Sequence, residues 1–372
     1  MIKTLLDNFS PSDNAVIWLI AAFILAFIIA YRTFPTILYV SNEKHLMDEP
    51  DSRSLHSTKT PTLGGIGIFL GVIVVITIVG AFLNTKVLLL VMGGLTVLFF
   101  LGLKDDLTVL SPGKKLVGQL FVASLLIVFT DTRIIGFSSI LDVYTLPYWV
   151  SVGFTLFVYI LIINAYNLID GVDGLAGTIA LTASAIFVYL FVNAHDLSLA
   201  TIAIALCGSL LAFLRFNFSL SKKIFMGDTG SMIVGFLLAF FTISFINMAQ
   251  VDEASDYYRA SPALAFALLF YPFIDTLRIF FIRIVIHKTS PFKADKNHIH
   301  HWFIKIGYSH LMTTILICSI NFVIVCIAFN MLHLNLNTQI ICLLLYGIAL
   351  YLIPFGLHKI KNNSKITENE AS

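Results

Sequence analysis

The feature that most constrains this chain is a series of apolar runs long enough to cross a lipid bilayer. A transmembrane helix needs about 20 consecutive apolar residues. Here 58% of the 372 residues are hydrophobic and 12% are charged, whereas soluble domains carry about 25% charged residues. We therefore predict an all-α, polytopic membrane protein with about eleven transmembrane helices, over residues 15–34, 64–83, 86–103, 115–130, 147–164, 174–193, 198–215, 230–248, 262–284, 311–330 and 337–357.

Lysine and arginine indicate which side of the membrane each loop faces, because short cytosolic loops carry an excess of them. If the N-terminus lies outside, the outer segments hold four of the 23 basic residues, namely Lys3, Lys86, Arg133 and Arg259. The other 19 fall on the inner side, which predicts an N-out, C-in protein. Arg32, rather than a small-residue cleavage site, follows the first apolar run, which favours a permanent span over a signal peptide.

The sequence gives no sign of a repeat, a low-complexity tract or a separate soluble domain. We therefore expect residues 1–372 to form a single integral-membrane domain. All four cysteines lie inside apolar runs without CxxC spacing, which indicates buried, inert thiols rather than disulfides or a zinc site. The polar clusters lie almost entirely in the predicted inner loops.

Carboxylates occur at the inner ends of two predicted spans. Asp105 and Asp106 end the third span, where adjacent charges repel each other and lose hydration. For this pair alone, a solvated helix end is as good an interpretation as a functional site. Asp275 and Arg278 lie three residues apart in the ninth span, and we expect them to neutralise each other rather than to act in catalysis.

A second cluster has an oxygen-bearing side chain at every third position, in Asn164, Asn167, Asp170 and Asp173. Neighbours at this spacing share a face of a regular helix, but the first and last would lie on opposite faces. Gly171 and Gly174 are expected to break the helix and turn the later carboxylates inward. Hard oxygen ligands suit Mg²⁺ or Mn²⁺, while a polar turn between spans is the structural alternative.

The sequence Gly227-Asp228-Thr-Gly-Ser precedes the eighth span. The glycines allow the backbone to approach a ligand, and the N–H groups of a helix start can hold a phosphate while a metal binds the carboxylate. An Asp or Ser that only caps the helix is an equally good interpretation of this short motif alone.

The longest inner loop ends in a histidine cluster made of His298, His300 and His301, which follow Lys296. Three histidines could bind a transition metal, but no cysteine or HExxH pattern accompanies them. We favour hydrogen bonds from the imidazoles to phosphate or sugar oxygens. Upstream, Arg53 and His56 could add further contacts.

In this order and on one membrane face, the motifs resemble those of the polyprenyl-phosphate N-acetylhexosamine-1-phosphate transferases. That family includes bacterial enzymes that initiate cell-surface polysaccharides and the phospho-MurNAc-pentapeptide translocase. The resemblance covers about residues 53–301, through Asp105-Asp106, NxxNxxDGxDGL at 164–175, GDTGS at 227–231 and HIHH at 298–301. The HIHH form and the eleven spans look like the branch that transfers GlcNAc-1-phosphate, whereas the Leu-Thr-Val-Leu after Asp106 departs from the family pattern.

The resemblance implies an enzyme of the bacterial inner (cytoplasmic) membrane whose active site faces the cytosol. It would transfer HexNAc-1-phosphate from a UDP-HexNAc to undecaprenyl phosphate, with Mg²⁺ as cofactor and Mn²⁺ as a substitute. No nucleic-acid partner is expected, and a homodimer is left open. The implied metal ligands are Asp228 and Asn167, the implied catalytic residues are Asp105, Asp106, Asp170 and Asp173, and the implied substrate-binding residues are Arg53, His56, Asn164, Lys296, His298, His300 and His301.

Three alternatives remain at this stage. The phospho-MurNAc-pentapeptide translocase of peptidoglycan synthesis has related motifs. A secondary transporter also carries intramembrane Asp and Asn, but near the midplane rather than at helix ends. A CDP-alcohol phosphotransferase would share Asp170-Gly-Val-Asp173-Gly, yet residues 175–190 lack the further Arg and Asp residues that such an enzyme needs.

Overall fold

The computed structural model describes residues 11, 13–46, 60–80, 82–83, 85–137, 140, 143–248, 256–288 and 297–371. Apart from an isolated bridge at Thr60, the regular secondary structure of this part of the chain is helical. The helices are α1 (Ala15–Glu43), α2 (Gly64–Val79), α3 (Thr85–Thr108), α4 (Pro112–Thr130), α5 (Tyr148–Ile169), α6 (Leu175–Asn193), α7 (Leu197–Asn217), α8 (Gly227–Met248), α9 (Asp256–Arg259), α10 (Ser261–Leu268), α11 (Phe270–Phe281, continued by a π-helix over Ile282–Ile286), α12 (Ile299–Ile306), α13 (His310–Asn330) and α14 (Leu336–Ala371).

The prediction of a polytopic helical membrane protein is confirmed. Among the described residues, nine helices are long and apolar enough to cross a bilayer, or ten if the bent pair α10–α11 forms one span. The predicted span at 64–83 is a shorter helix that ends at Val79. The count of eleven and the N-out orientation stay predictions, because helix length and composition do not determine them.

The predicted span at 262–284 is broken, since α10 and α11 meet at an angle of 76°. Pro272 lies in the first turn of α11 and has no N–H to donate to a carbonyl of α10. Asn321 of α13 binds the groups at the break: its Nδ2 donates to the Leu268 carbonyl at 3.2 Å, and its Oδ1 accepts from the Tyr271 N–H at 3.0 Å. A break inside an apolar environment requires such partners.

Helix α8 is the centre of the bundle. Of its apolar stretch, 89% is buried, compared with 17% for α1, so α1 leaves most of its surface for lipid. Helix α1 contacts its neighbours through the small residues Ala22, Ala26 and Ala30, which allow helices to approach closely in a membrane. Because α8 is surrounded by other helices, its N-terminus at Gly227 is a fixed point around which other helix ends are arranged.

Candidate active site

The N-terminus of α8 is capped by a carboxylate from another helix. Asp106, near the end of α3, accepts the Asp228 N–H at 2.7 Å, the Thr229 N–H at 3.0 Å and the Thr229 hydroxyl at 2.6 Å. The first N–H groups of a helix have no partner within it, and an anion is stabilised there by the helix dipole. The sequence left open a local cap by Asp228 or Ser231 as one interpretation of GDTGS, whereas the structure shows a cap from α3.

Gly227 makes this junction sterically possible. Its φ is +71°, and a Cβ at this position would lie 2.0 Å from the Thr62 carbonyl oxygen and 2.8 Å from an Asp106 carboxylate oxygen. The segment that leads into α2 packs on the same turn, because the Gly64 and Gly65 N–H groups donate to the carbonyls of Phe225 and Met226, both at 2.9 Å. The backbone around Asp228 is thus held from two sides.

A lysine that the sequence reading missed lies between two of the predicted carboxylates. Lys115 of α4 forms an ion pair with Asp105, whose side chain is 2% exposed, and approaches Asp228 Oδ1 at 3.3 Å. Asp105 also accepts the Leu110 N–H and thereby holds the turn between α3 and α4. The only sequence signal for Lys115 is its place at a helix start after the acidic pair, where a basic residue also fits a cytosolic loop.

The polar residues of the NxxNxxDGxDGL motif contact different partners. Asn167, at the end of α5, donates from Nδ2 to Asp228 Oδ1 and contacts Ser231 Oγ at 3.1 Å. Burial raises the pKa of Asp170 well above its usual range, and the charges of Asp228 and Asp106 raise it further. Asn164 instead donates to Gln119 Oε1 of α4 at 3.0 Å.

The predicted helix break after Asp170 is confirmed, since α5 ends at Ile169 and α6 begins after Gly174, whose φ is +74°. The break directs Asp173 to a different set of partners, with Lys223 Nζ at 2.6 Å and His310 Nδ1 at 3.1 Å. Burial alone would raise the pKa of Asp173, but the hydrogen bonds from His310 and Lys223 outweigh it and lower the pKa. The sequence reading did not identify Lys223 or His310.

The histidine cluster is joined to α11. His298 Nδ1 lies 2.7 Å from Asp275 Oδ2, and His300 Nδ1 lies 3.1 Å from the Tyr271 hydroxyl. Burial lowers the pKa of His300 well below its usual range, although the nearby Asp275 opposes this shift. The predicted Asp275–Arg278 pair is confirmed at 3.3 Å, but its contact with His298 was not foreseen.

The histidines also lie beside the acidic turn. A Cβ at Gly171 would be 3.2 Å from His300 Nε2, so the Asp170–Gly174 turn and α12 are neighbours. His298 and His300 are buried, while His301 is partly exposed. The predicted substrate-binding residues Arg53, His56 and Lys296 lie outside the described residues.

The side chains around Asp228 include oxygen atoms that could bind a divalent cation. Among the described residues, no three side chains of His, Cys, Asp and Glu form a ligand group by themselves. Mg²⁺ commonly takes one or two carboxylates and completes its shell with substrate phosphates and water, and Asp228 beside Asn167 suits such an open site. Asn167 would coordinate through Oδ1, which requires the amide to turn, because Nδ2 faces Asp228 here. The Lys115 ammonium between Asp105 and Asp228 shows that a positive charge is stable at this point.

Comparisons with known proteins agree with this arrangement of motifs. The family model described as glycosyl transferase family 4 matches residues 88–246. A decaprenyl-phosphate N-acetylglucosaminephosphotransferase of Mycobacterium leprae is 32% identical, over 78% of each chain. A probable undecaprenyl-phosphate N-acetylglucosaminyl 1-phosphate transferase of Bacillus subtilis is 28% identical over 84% of each chain. An undecaprenyl-phosphate alpha-N-acetylglucosaminyl 1-phosphate transferase of Escherichia coli K12 is 28% identical over 75% of this chain and 74% of its own. The protein is therefore a member of glycosyl transferase family 4, together with the polyprenyl-phosphate N-acetylhexosamine-1-phosphate transferases.

Proposed function

We propose that this protein transfers GlcNAc-1-phosphate, or a related HexNAc-1-phosphate, from a UDP-HexNAc to undecaprenyl phosphate. The product would be the lipid-linked first sugar of a cell-surface polysaccharide. The observation that carries the proposal is the meeting of three helix ends at Asp228, where Asp106 of α3 caps the helix and Asn167 of α5 contacts the carboxylate. The substrates named for the relatives support the choice of donor and acceptor.

In the proposed reaction, an oxygen of the lipid phosphate attacks the β-phosphorus of the nucleotide sugar. A new P–O bond forms, the bond to the UMP oxygen breaks, and UMP leaves with its electron pair. The Asp105–Lys115 pair is our candidate for orienting the lipid phosphate, because its ammonium is partly exposed. Asp106 is the candidate for positioning α8, because its carboxylate already accepts three hydrogen bonds there.

The other predicted residues are given roles from their chemistry and, where the structure describes them, from their partners. His298, His300 and His301 would face the diphosphate and sugar, and Arg53, His56 and Lys296 would add positive charge or hydrogen bonds. Asp173, with Lys223 and His310, would form a separate polar contact for the nucleotide or the lipid phosphate. Asn164 would act indirectly, by joining α5 to α4 through its hydrogen bond to Gln119.

We further propose that Asp228 and Asn167 hold Mg²⁺, and that Mn²⁺ can replace it. When bound, this ion would neutralise the pyrophosphate and polarise its bridging oxygen. Burial is the main cause of the raised pKa of Asp170, and the charges of Asp228 and Asp106 raise it further. The gathering of these three carboxyl groups supports a cation here, because a positive charge would offset their mutual repulsion. A ligand that binds only the folded state raises its stability. We therefore expect Mg²⁺ to raise the unfolding temperature of the wild-type protein and not that of Asp228→Asn; equal stabilisation of both would reject this metal site.

The proposed orientation is N-out and C-in with eleven spans, in the bacterial inner membrane, and with the active site in the cytosol. The bias of basic residues supports it. So does the chemistry of the substrates, because nucleotide sugars are cytosolic and the polyprenyl chain stays in the bilayer. Fusing a reporter that is active only in the cytosol to the C-terminus tests this orientation, and an inactive fusion that is still produced would contradict it.

The function itself is tested with purified protein in detergent, undecaprenyl phosphate, Mg²⁺ and different UDP-sugars. We expect UMP release and a lipid-linked product with UDP-GlcNAc or another UDP-HexNAc, and a loss of about 10²-fold or more in Asp228→Asn. Product from UDP-MurNAc-pentapeptide alone would instead identify the peptidoglycan branch. Flux of labelled substrate into proteoliposomes without product would support the transporter alternative.

A further inference from the structure

We propose that Asp275 and Tyr271 are positioning residues that orient the histidine cluster toward the diphosphate of the sugar nucleotide. The proposal rests on the proposed function. It assigns to α11 the task of fixing which ring nitrogen each histidine presents to the substrate.

Asp275 and Tyr271 lie four residues apart on α11, so their side chains share a face of the helix. Both are fully buried. Asp275 uses its two oxygens on the same segment: Oδ2 contacts His298 Nδ1 at 2.7 Å, and Oδ1 accepts the Ile299 N–H at 2.9 Å. The Tyr271 hydroxyl contacts His300 Nδ1 at 3.1 Å.

The partner of one imidazole nitrogen sets the tautomer and the direction of the other. Because α11 contacts Nδ1 of both His298 and His300, Nε2 is the nitrogen that each ring directs away from α11. The two rings are parallel, with an angle of 2° between their planes and 5.5 Å between centroids. The Nε2 of His300 faces the acidic turn, since it is 3.2 Å from where a Cβ of Gly171 would lie.

The carboxylate of Asp275 fixes the tautomer of His298, since a carboxylate acceptor requires a proton on Nδ1. Nε2 then presents a lone pair in the neutral ring and an N–H in the protonated ring. Arg278 lies 3.3 Å from Asp275 Oδ1 and also donates to the Asn297 carbonyl. The predicted neutralising pair is therefore part of the support for the histidine segment.

Helix α12 has a second attachment that does not involve Asp275 or Tyr271. Trp302 packs on Phe355 with centroids 4.8 Å apart and on His358 at 5.2 Å. The orientation of the rings can therefore be altered while the helix stays docked on α14. Because the docking of α12 does not depend on Asp275 or Tyr271, a change in ring orientation can be tested without undocking the helix.

The test uses Asp275→Asn and Tyr271→Phe, which conserve volume, with Asp196→Asn as a matched control. Asp196 also accepts a helix N–H, from Leu199 at 2.9 Å, but it lies before α7, at the opposite end of α6 from the acidic turn.

We expect Asp275→Asn to raise KM for the UDP-HexNAc about tenfold or more, and Tyr271→Phe to raise it about two- to tenfold. KM for undecaprenyl phosphate should change little in either variant, and Asp275→Glu should recover part of the loss. Unchanged donor KM in both variants, or equal changes in both KM values with loss of folded protein, would overturn the proposal.

A double-mutant cycle gives a readout that a general loss of stability would not produce. If Asp275 acts through His298, adding Asp275→Asn to His298→Gln should raise the donor KM by less than about twofold, because effects that pass through one group are not additive. Additive effects would overturn the proposal.

Imidazole ¹⁵N shifts of labelled protein test the positioning role without relying on enzymatic activity, so failure of this proposal can be distinguished from failure of the proposed function. A His298 Nδ1–H signal that Asp275→Asn alters supports the positioning role even if no lipid product forms, whereas an unaltered tautomer refutes it.

Discussion

Lys115 gives the sharpest stability prediction. The Asp105 side chain is 2% exposed and Lys115 is 24% exposed, so Lys115→Met leaves a buried carboxylate without its cation. Removing one partner of a fully buried ion pair costs about 3–5 kcal/mol, whereas exposed pairs contribute about 0.2–1 kcal/mol. Because water reaches Lys115, we expect a loss of about 2 kcal/mol, which is roughly a 30-fold change in the folding equilibrium.

The assay is denaturant or thermal unfolding of the purified protein in one detergent at fixed ionic strength. Lys114→Met is the matched control, because Lys114 is the adjacent lysine and is exposed. Adding Asp105→Asn to Lys115→Met removes the uncompensated charge and should restore much of the stability. If Lys115→Met costs no more than Lys114→Met, or if Asp105→Asn gives no recovery, the Asp105–Lys115 ion pair does not stabilise the fold.

Three further predictions concern the same end of the bundle. Gly227→Ala should lower the free energy of unfolding by at least about 1–2 kcal/mol, because the φ of Gly227 is +71° and the new Cβ would meet the Thr62 carbonyl at 2.0 Å. Gly113→Ala is the control, since a Cβ there meets nothing within 4 Å. Equal stability of the two variants would contradict this prediction. Asp106→Ala should cost about 0.5–2 kcal/mol as a lost helix cap, measured by the same unfolding assay, and no loss would mean that water replaces the cap. The lowered pKa of His300 means that the unfolded chain binds a proton below about pH 6.5 while the folded protein does not. Stability should therefore fall as the pH drops below about 6.5, and His300→Gln should flatten this dependence; identical pH profiles would reject the argument.

The sequence predicted the elements and the motifs of the site well, because these depend on local composition. Apolar runs identified each main helix, and the glycines after Asp170 correctly indicated a break between α5 and α6. The break in α10–α11 was missed, because the effect of Pro272 depends on Asn321, 49 residues later, which binds the backbone groups at the break. A proline inside an apolar segment is compatible with a kinked span or with the end of a span, and the sequence alone does not distinguish the two.

The partners of the charged groups were harder to predict than the groups themselves. Asp275 and Arg278 were correctly paired because they are three residues apart on one helix. Lys115, Lys223 and Tyr271 were missed, since each meets a partner from a distant part of the chain. Asp173 belongs to the same motif as Asn167, yet the turn at Gly174 separates their partners.

The sequence by itself determined that this chain must be a helical membrane protein and that its polar residues gather in a few loops, because bilayer thickness and the hydration of charge act on each segment independently. Only the tertiary structure decided which helix ends meet, that Asp106 caps α8, and that α11 contacts the histidine cluster. Those choices depend on packing around the enclosed helix α8 and on contacts between residues far apart in sequence, where a carboxylate is stabilised by whichever donor the fold brings to it.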